Sequence, residues 1–146
     1  MADFPGRLHH HTPAWVKSGS AFHVRIRAAA GQVPPLTDRV LAEQILGWMR
    51  RYHATERWHC RIALVMPDHL HAILVFPDID RLSGTIRSWK RGTARMLNVD
   101  WQKNYFDHRL RHEREADEAW AYIRLNPVAK KLCVEADDWP FWWSPS

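Results

Sequence analysis

Residues 58–76 constrain the fold of this chain more than any other stretch. Trp58 to Met66 and His69 to Phe76 are two apolar runs, and Pro67-Asp68 between them is a turn-forming break. Two runs of that length at that spacing read as a β-hairpin. The second arm begins His69-Leu70-His71-Ala72-Ile73-Leu74-Val75. On a strand, residues i and i+2 leave the same face, so the two imidazoles emerge together while Leu70 enters a core. Two neutral imidazoles on one face suit a divalent metal, and a partly filled coordination sphere is where a metal does chemistry. Such a pair also arises by chance, so the surrounding residues decide its meaning.

The hairpin sits inside a regular succession of elements. Phe22-His23-Val24-Arg25-Ile26-Arg27 alternates apolar and polar residues, as a strand does. Gly31 to Pro35 is a loop. Thr37 is a candidate N-cap for a helix in which Val40, Leu41, Ile45, Leu46, Trp48 and Met49 recur at helical spacing up to about Tyr52. A second helix is expected from Asp80, with Leu82, Ile86, Trp89, Ala94 and Leu97 on its apolar face and Arg81, Arg87, Lys90, Arg91 and Arg95 on the other. Trp101 to Leu110 reads as a fourth strand. Glu113 to Leu125 reads as a third helix with acidic residues in its first turns, closed at or near Asn126-Pro127. The order β-α-β-β-α-β followed by a helix predicts an α+β, ferredoxin-like antiparallel sheet with two helices on one face, plus a C-terminal helix. With 146 residues and no linker or repeat, residues 1–146 are expected to form one domain.

Composition narrows the partner. The formal charge is +5, and the cations are 16 Arg against 5 Lys. Arginine makes planar, bidentate phosphate contacts and stacks on bases. Nine tryptophans are many for this length, and Trp139, Trp142 and Trp143 crowd into a Pro-broken tail. Arginine with aromatic surface suits single-stranded nucleic acid, because phosphates take the charge and bases take the stacking. The arginine face of the second helix is either a solvated surface or a DNA-contacting one. No run approaches 18 apolar residues, so no membrane helix is expected, and Met1 to Pro13 lacks the apolar core of a secretory signal. Cys60 and Cys133, two and far apart, fit a reducing cytoplasm better than a disulfide framework.

The second chemical feature is Ala121-Tyr122-Ile123-Arg124-Leu125-Asn126-Pro127-Val128. Tyr122 and Asn126 are i and i+4 and share a face of the last helical turns. They read either as a half-buried core tyrosine and a helix cap, or as a hydroxyl and an amide oxygen that reach a metal held by His69 and His71. Two imidazoles with an amide oxygen and open positions suit Mg or Mn working on phosphate oxygens.

Met66-Pro67-Asp68-His69-Leu70-His71 resembles the histidine-hydrophobic-histidine motif of the HUH single-strand endonucleases. More narrowly, the chain resembles the REP-associated tyrosine transposases, relatives of the smallest insertion-sequence transposases. The matching segments are Phe22 to Arg27, Val65 to Val75, Ile86 to Lys90, Trp101-Gln102 with Tyr105-Phe106-Asp107-His108, and Tyr122-Ile123 with Asn126-Pro127-Val128. They follow the family's order and spacing from about residue 13 to residue 143. Many members carry Asn where this chain has Asp68, and both residues suit a turn.

The resemblance implies an enzyme. Members use one tyrosine to attack a phosphodiester in single-stranded DNA, leaving a 5′-phosphotyrosine bond and a free 3′ hydroxyl that later rejoins strands. It implies Tyr122 as nucleophile, His69 and His71 as ligands of Mg2+ or Mn2+, and Asn126 as a third ligand. A free phenol ionises near pH 10, and the metal, Lys130, Lys131 or His108 are the candidates to assist it. Tyr52 and Tyr105 are the rival tyrosines. The implied partners are DNA hairpins of repetitive palindromic elements, bound by a monomer or a homodimer in the bacterial cytoplasm at the nucleoid. Arg7, Lys17, Arg87, Lys90 and Arg91 are the candidate DNA contacts. The segment 1–17 either helps to read a folded DNA end or is disordered. Two other classes compete. One is a domesticated DNA-binding protein of the same fold that no longer cuts. The other is an RNA-binding module that stacks bases on its central strands, which the aliphatic runs Ile62 to Val65 and Ala72 to Phe76 disfavour. His23, His53, His59 and His112 read as ordinary surface or half-buried residues.

Overall fold

The computed structural model describes residues 12–145. The hairpin forms as expected, from β2 (His59–Val65) and β3 (His69–Phe76), with Val65 opposite Leu70 across the Pro67-Asp68 turn. Around it lie β1 (Ser20–Arg27), α1 (Arg39–Ala54), α2 (Arg81–Leu97), β4 (Phe106–Leu110), α3 (Glu113–Ala129) and β5 (Trp142–Trp143). The five strands make one antiparallel sheet in the order β4-β1-β3-β2-β5. β3 is buried along its whole length, with β1 on one side and β2 on the other.

Strand alternation divides the core in two. Phe22, Val24 and Ile26 of β1 and Leu70, Ala72, Leu74 and Phe76 of β3 pack with Leu41, Ile45 and Met49 of α1 and Leu82, Ile86 and Trp89 of α2. The opposite face carries Ile62, Leu64 and Ile73, which pack with Ala116 and Ile123 of α3. The two early helices therefore share one face and the tyrosine helix covers the other. Each buried side chain of these apolar strands contributes about 1.5–3 kcal/mol relative to exposure.

Several boundaries differ from the expectation, each for a local reason. Asp38, not Thr37, caps α1: its Oδ2 accepts from the Leu41 N–H at 3.1 Å. That start leaves Val40 on the solvent side. On α2 the buried position is Thr93 rather than Ala94. The Thr93 hydroxyl donates to the Trp89 carbonyl at 2.8 Å and accepts from the Trp101 indole N–H at 2.9 Å, so a polar residue is satisfied inside. β4 begins only at Phe106. Trp101 makes a single bridge to Ala28, and the carbonyls of Gln102 and Lys103 are taken by the Lys90 ammonium at 2.7 and 2.9 Å, which leaves them out of a ladder. α3 runs past Pro127 to Ala129. A proline costs the helix one donor, and the turn resumes at once, with the Lys130 N–H on the Asn126 carbonyl at 2.9 Å.

The tail is structure rather than a free aromatic surface. Trp139 is buried, with its indole N–H on the Val65 carbonyl at 3.1 Å. Trp142 and Trp143 pair with Leu64 and Ala63 as β5. The Arg124 guanidinium lies 3.9 Å from the Trp142 ring centroid. Trp139→Ala is therefore expected to destabilise the fold by about 3–5 kcal/mol. Urea denaturation checks this, and a cost below about 1 kcal/mol would show that the tail is not part of the core.

Candidate active site

The site forms where β3, β1 and α3 meet. His69 and His71 emerge on the α3 side of the sheet, as their i, i+2 spacing requires, while Leu70 between them joins the α1/α2 core. Both rings are buried. Their Nε2 atoms stand 3.2 Å apart. His69 Nδ1 is 2.7 Å from the Asp68 carboxylate, which accepts its proton and fixes the ring. Asp68 thus orients an imidazole as well as turning the hairpin. Asp68 is held below the usual carboxylate range, first by that hydrogen bond and further by the positive charge of Arg27.

Burial keeps the imidazoles neutral. His71 is pushed down to about 3 by desolvation and then by the neighbouring His69, His23, Arg25 and Arg27. His69 is also lowered, burial outweighing the pull of Asp68. Neutral rings leave lone pairs for a metal at pH 7.

β1 supplies residues that the sequence reading did not assign to the site. Its alternation puts Phe22, Val24 and Ile26 inward on the α1/α2 side, so His23, Arg25 and Arg27 come out beside the histidine pair. Arg25 lies directly across from His71 and Arg27 directly across from His69. His23 Nε2 is 3.0 Å from His71 Nδ1. His23 is therefore not an ordinary half-buried residue, and burial, with the charges of Arg25 and His108, lowers it to about 4. The signal was present in the alternation of Phe22 to Arg27. The link to His71 spans 48 positions and has no local signature.

α3 brings Tyr122 over this face. Its ring centroid is 5.9 Å from His71 and 6.1 Å from His23, and the residue is 54% exposed. That exposure removes the core-tyrosine reading. Tyr122, His71, His23, Arg25, Phe106 and His108 line an open cleft of about 450 Å³. Asn126, one helical turn on, is buried, and its Oδ1 has no hydrogen-bond partner. A buried acceptor without a donor is costly, and a cation ligand is one way to satisfy it. Among the described residues no group of three His, Cys, Asp or Glu side chains could hold a metal. The two imidazole Nε2 atoms are the paired nitrogen donors of the site. Two adjacent ligands of a metal at about 2.1 Å stand about 3 Å apart, and the 3.2 Å between the two Nε2 atoms matches.

The other expected residues lie elsewhere. Tyr52 is buried, with its hydroxyl 2.8 Å from the Ser88 hydroxyl. Tyr105 lines a separate groove of about 580 Å³ with Arg87, Lys90, Arg91, Trp101 and Lys103. Lys90 spends its ammonium on the loop carbonyls described above, whereas Arg87 and Arg91 are exposed. Lys17 stands apart from that groove, near Arg61 and Arg111. His108 is tied to Glu115 at 2.8 Å. Arg7 and the three histidines at 9–11 lie outside the described residues.

The chain is thus a mixed α/β protein with a five-stranded antiparallel sheet, a His-Leu-His pair on its central strand and an exposed tyrosine on the covering helix. The chain is similar to the REP-associated tyrosine transposase of Escherichia coli (strain K12), with 26% identity over 132 residues, 87% of this chain and 77% of the relative. A solved structure of a REP-associated tyrosine transposase bound to a REP hairpin shares the fold, with a TM-score of 0.70 at 20% identity over 90% of this chain and 80% of that one. An uncharacterized protein of Haemophilus influenzae (strain ATCC 51907 / DSM 11121 / KW20 / Rd) matches at 32% identity over 50 residues, 34% of this chain and 27% of the relative. No protein-family model matches the chain. The resemblance to the REP-associated tyrosine transposases is upheld in both sequence and fold. No described helix is long and apolar enough to cross a membrane.

Proposed function

We propose that this protein cuts and rejoins single-stranded DNA at hairpin-forming ends through a covalent 5′-phosphotyrosine on Tyr122. The observation that carries the reading is the convergence of His69 and His71 Nε2, 3.2 Å apart, beneath an exposed tyrosine in an open cleft. The sequence likeness to a REP-associated tyrosine transposase and the hairpin held by the solved structure supply the substrate class.

His69 and His71 would hold the metal, with the unpartnered Asn126 Oδ1 as a third donor. Mg2+ or Mn2+ held there would supply Lewis-acid polarisation of the scissile phosphate and offset the charge that develops on it. Tyr122 presents its oxygen to the phosphorus. The new bond is P–O(Tyr122), the bond broken is P–O3′, and the phenol proton is lost as the 3′ oxygen becomes a hydroxyl. The reverse attack by a 3′ hydroxyl releases Tyr122 and joins strands, so no nucleotide cofactor is needed. Arg25 and Arg27, opposite the two histidines, place positive charge where a phosphodiester must pass. One chain carries both the histidine pair and the tyrosine, with the His71 and Tyr122 ring centroids 5.9 Å apart, which supports a monomer as the acting unit.

Arg87 and Arg91 offer a second cationic surface, on the sheet face away from Tyr122, for the hairpin's phosphates. Arg87→Ala with Arg91→Ala is expected to weaken hairpin binding and to reduce the log–log salt slope by about 1.4–1.8. Fluorescence anisotropy across a salt series measures this, and an unchanged slope would remove the surface from the account.

The test of the reaction class is strand preference. Single-stranded hairpin DNA should be cut, and a fully duplexed copy should be cut at least about tenfold less, because pairing and stacking withhold the backbone from the cleft. Equal cutting of both forms would contradict the proposal.

A further inference from the structure

His23 is bonded to a candidate metal ligand, yet it has no role in the chemistry described so far. The hydrogen bonds form one line: His23 Nε2 to His71 Nδ1 at 3.0 Å, His71 Nε2 to His69 Nε2 at 3.2 Å, and His69 Nδ1 to Asp68 Oδ1 at 2.7 Å. An ionised carboxylate only accepts, so His69 carries its proton on Nδ1 and offers a bare Nε2. With all three rings neutral, one arrangement satisfies every link without a metal. His71 donates from Nε2 to His69, and His23 donates from Nε2 to His71 Nδ1.

That arrangement closes His71 to a metal, because its Nε2 bears a proton. To become a ligand, His71 must carry the proton on Nδ1, and Nδ1 then faces an atom 3.0 Å away that must accept. The group at that place must be able to change from donor to acceptor, and an imidazole does so by moving its proton to its second nitrogen. From this we infer that His23 is the positioning residue for His71: it donates to Nδ1 in the metal-free site and accepts from Nδ1–H in the loaded one. Loading then exchanges tautomers on both rings, His71 from Nε2–H to Nδ1–H and His23 from Nε2–H to Nδ1–H, with no net change in protons. Asp68 does the same for His69 without switching, since a carboxylate accepts in both states. The two candidate ligands are thus held by unlike partners, one fixed and one switchable.

The geometry of β1 supports the assignment. His23 sits two residues from Arg25, which is the direct cross-strand neighbour of His71, so the contact is diagonal and set by the sheet register rather than by a mobile loop. The His23 ring is also edge-on to Phe106, at 6.1 Å and 83°, which restricts its rotation.

The inference rests on the metal reading of His69 and His71, and its test separates the two. Nitrogen-15 NMR of the full chain reads the ring tautomers before and after Mg2+, and electron paramagnetic resonance reads Mn2+ affinity. The expected result is Nε2–H on His71 and His23 without metal, and Nδ1–H on both with it. His23→Phe keeps an aromatic ring but no acceptor, and should raise the Mn2+ dissociation constant about 10- to 100-fold. His23→Gln, whose amide can turn to donate or accept, should recover most of that loss. If wild-type protein binds Mn2+ through His69 and His71 and His23→Phe binds it equally well, the inference fails and the metal reading stands. If wild-type protein binds no Mn2+ at these residues, the metal reading fails and takes the inference with it. A His71 tautomer that does not respond to Mg2+ also overturns the inference.

Discussion

Tyr122→Phe is expected to abolish covalent capture of DNA altogether while leaving hairpin binding near normal and folding stability within about 0.5 kcal/mol, as for most surface substitutions. The substitution removes one oxygen from a residue that is 54% exposed, so neither core packing nor the fold depends on it. If the oxygen is the nucleophile, no neighbour replaces it. Tyr52 is buried with its hydroxyl engaged by Ser88, and Tyr105 opens onto a different groove beside α2. Denaturing gels of wild type and variant, with native binding measured in parallel, check this. Capture retained in the variant would place the chemistry on another residue, and binding lost in both assays would make Tyr122 a DNA contact rather than a nucleophile.

The paired variant His69→Ala with His71→Ala is expected to lower metal-dependent cleavage by at least about 10²–10³-fold, the scale for removing a principal stabiliser of transition-state charge. The two rings are buried, and removing them also strips partners from Asp68 and His23, so some loss of stability is expected, about 1–3 kcal/mol. Thermal melts separate the effects, because a folded variant that binds hairpins but does not cut them has lost the metal and not the fold. Cleavage unchanged by the paired substitution would sink the metal assignment.

The parts of this site that sequence exposes are those that local periodicity controls. Strand alternation placed His69 and His71 on one face and Leu70 on the other, because β3 is continuous and buried on both sides. The i, i+4 spacing put Tyr122 and Asn126 on one face of α3. Residues that owe their place to distant partners were not legible. His23 acquires its contact through the β1–β3 register, and Arg25 and Arg27 reach the histidines the same way. The start of β4 was misplaced because Lys90, from another element, captures the carbonyls that a strand would use. β5 has two residues, too few for any period to show, and it exists because the β2 edge accepts it. The helix continues through Pro127 because the cost of one missing donor is small against the packing of Ile123 and Ala116 under the sheet.

The most direct measurement uses labelled single-stranded hairpin DNA from the protein's own genomic neighbourhood, incubated with the protein with and without Mg2+ or Mn2+. The account predicts a protein–DNA band that survives denaturant, requires the metal and disappears in Tyr122→Phe. Hairpin binding without any covalent band, across several such substrates, would contradict it and make the chain a DNA-binding protein that keeps the fold without the cutting.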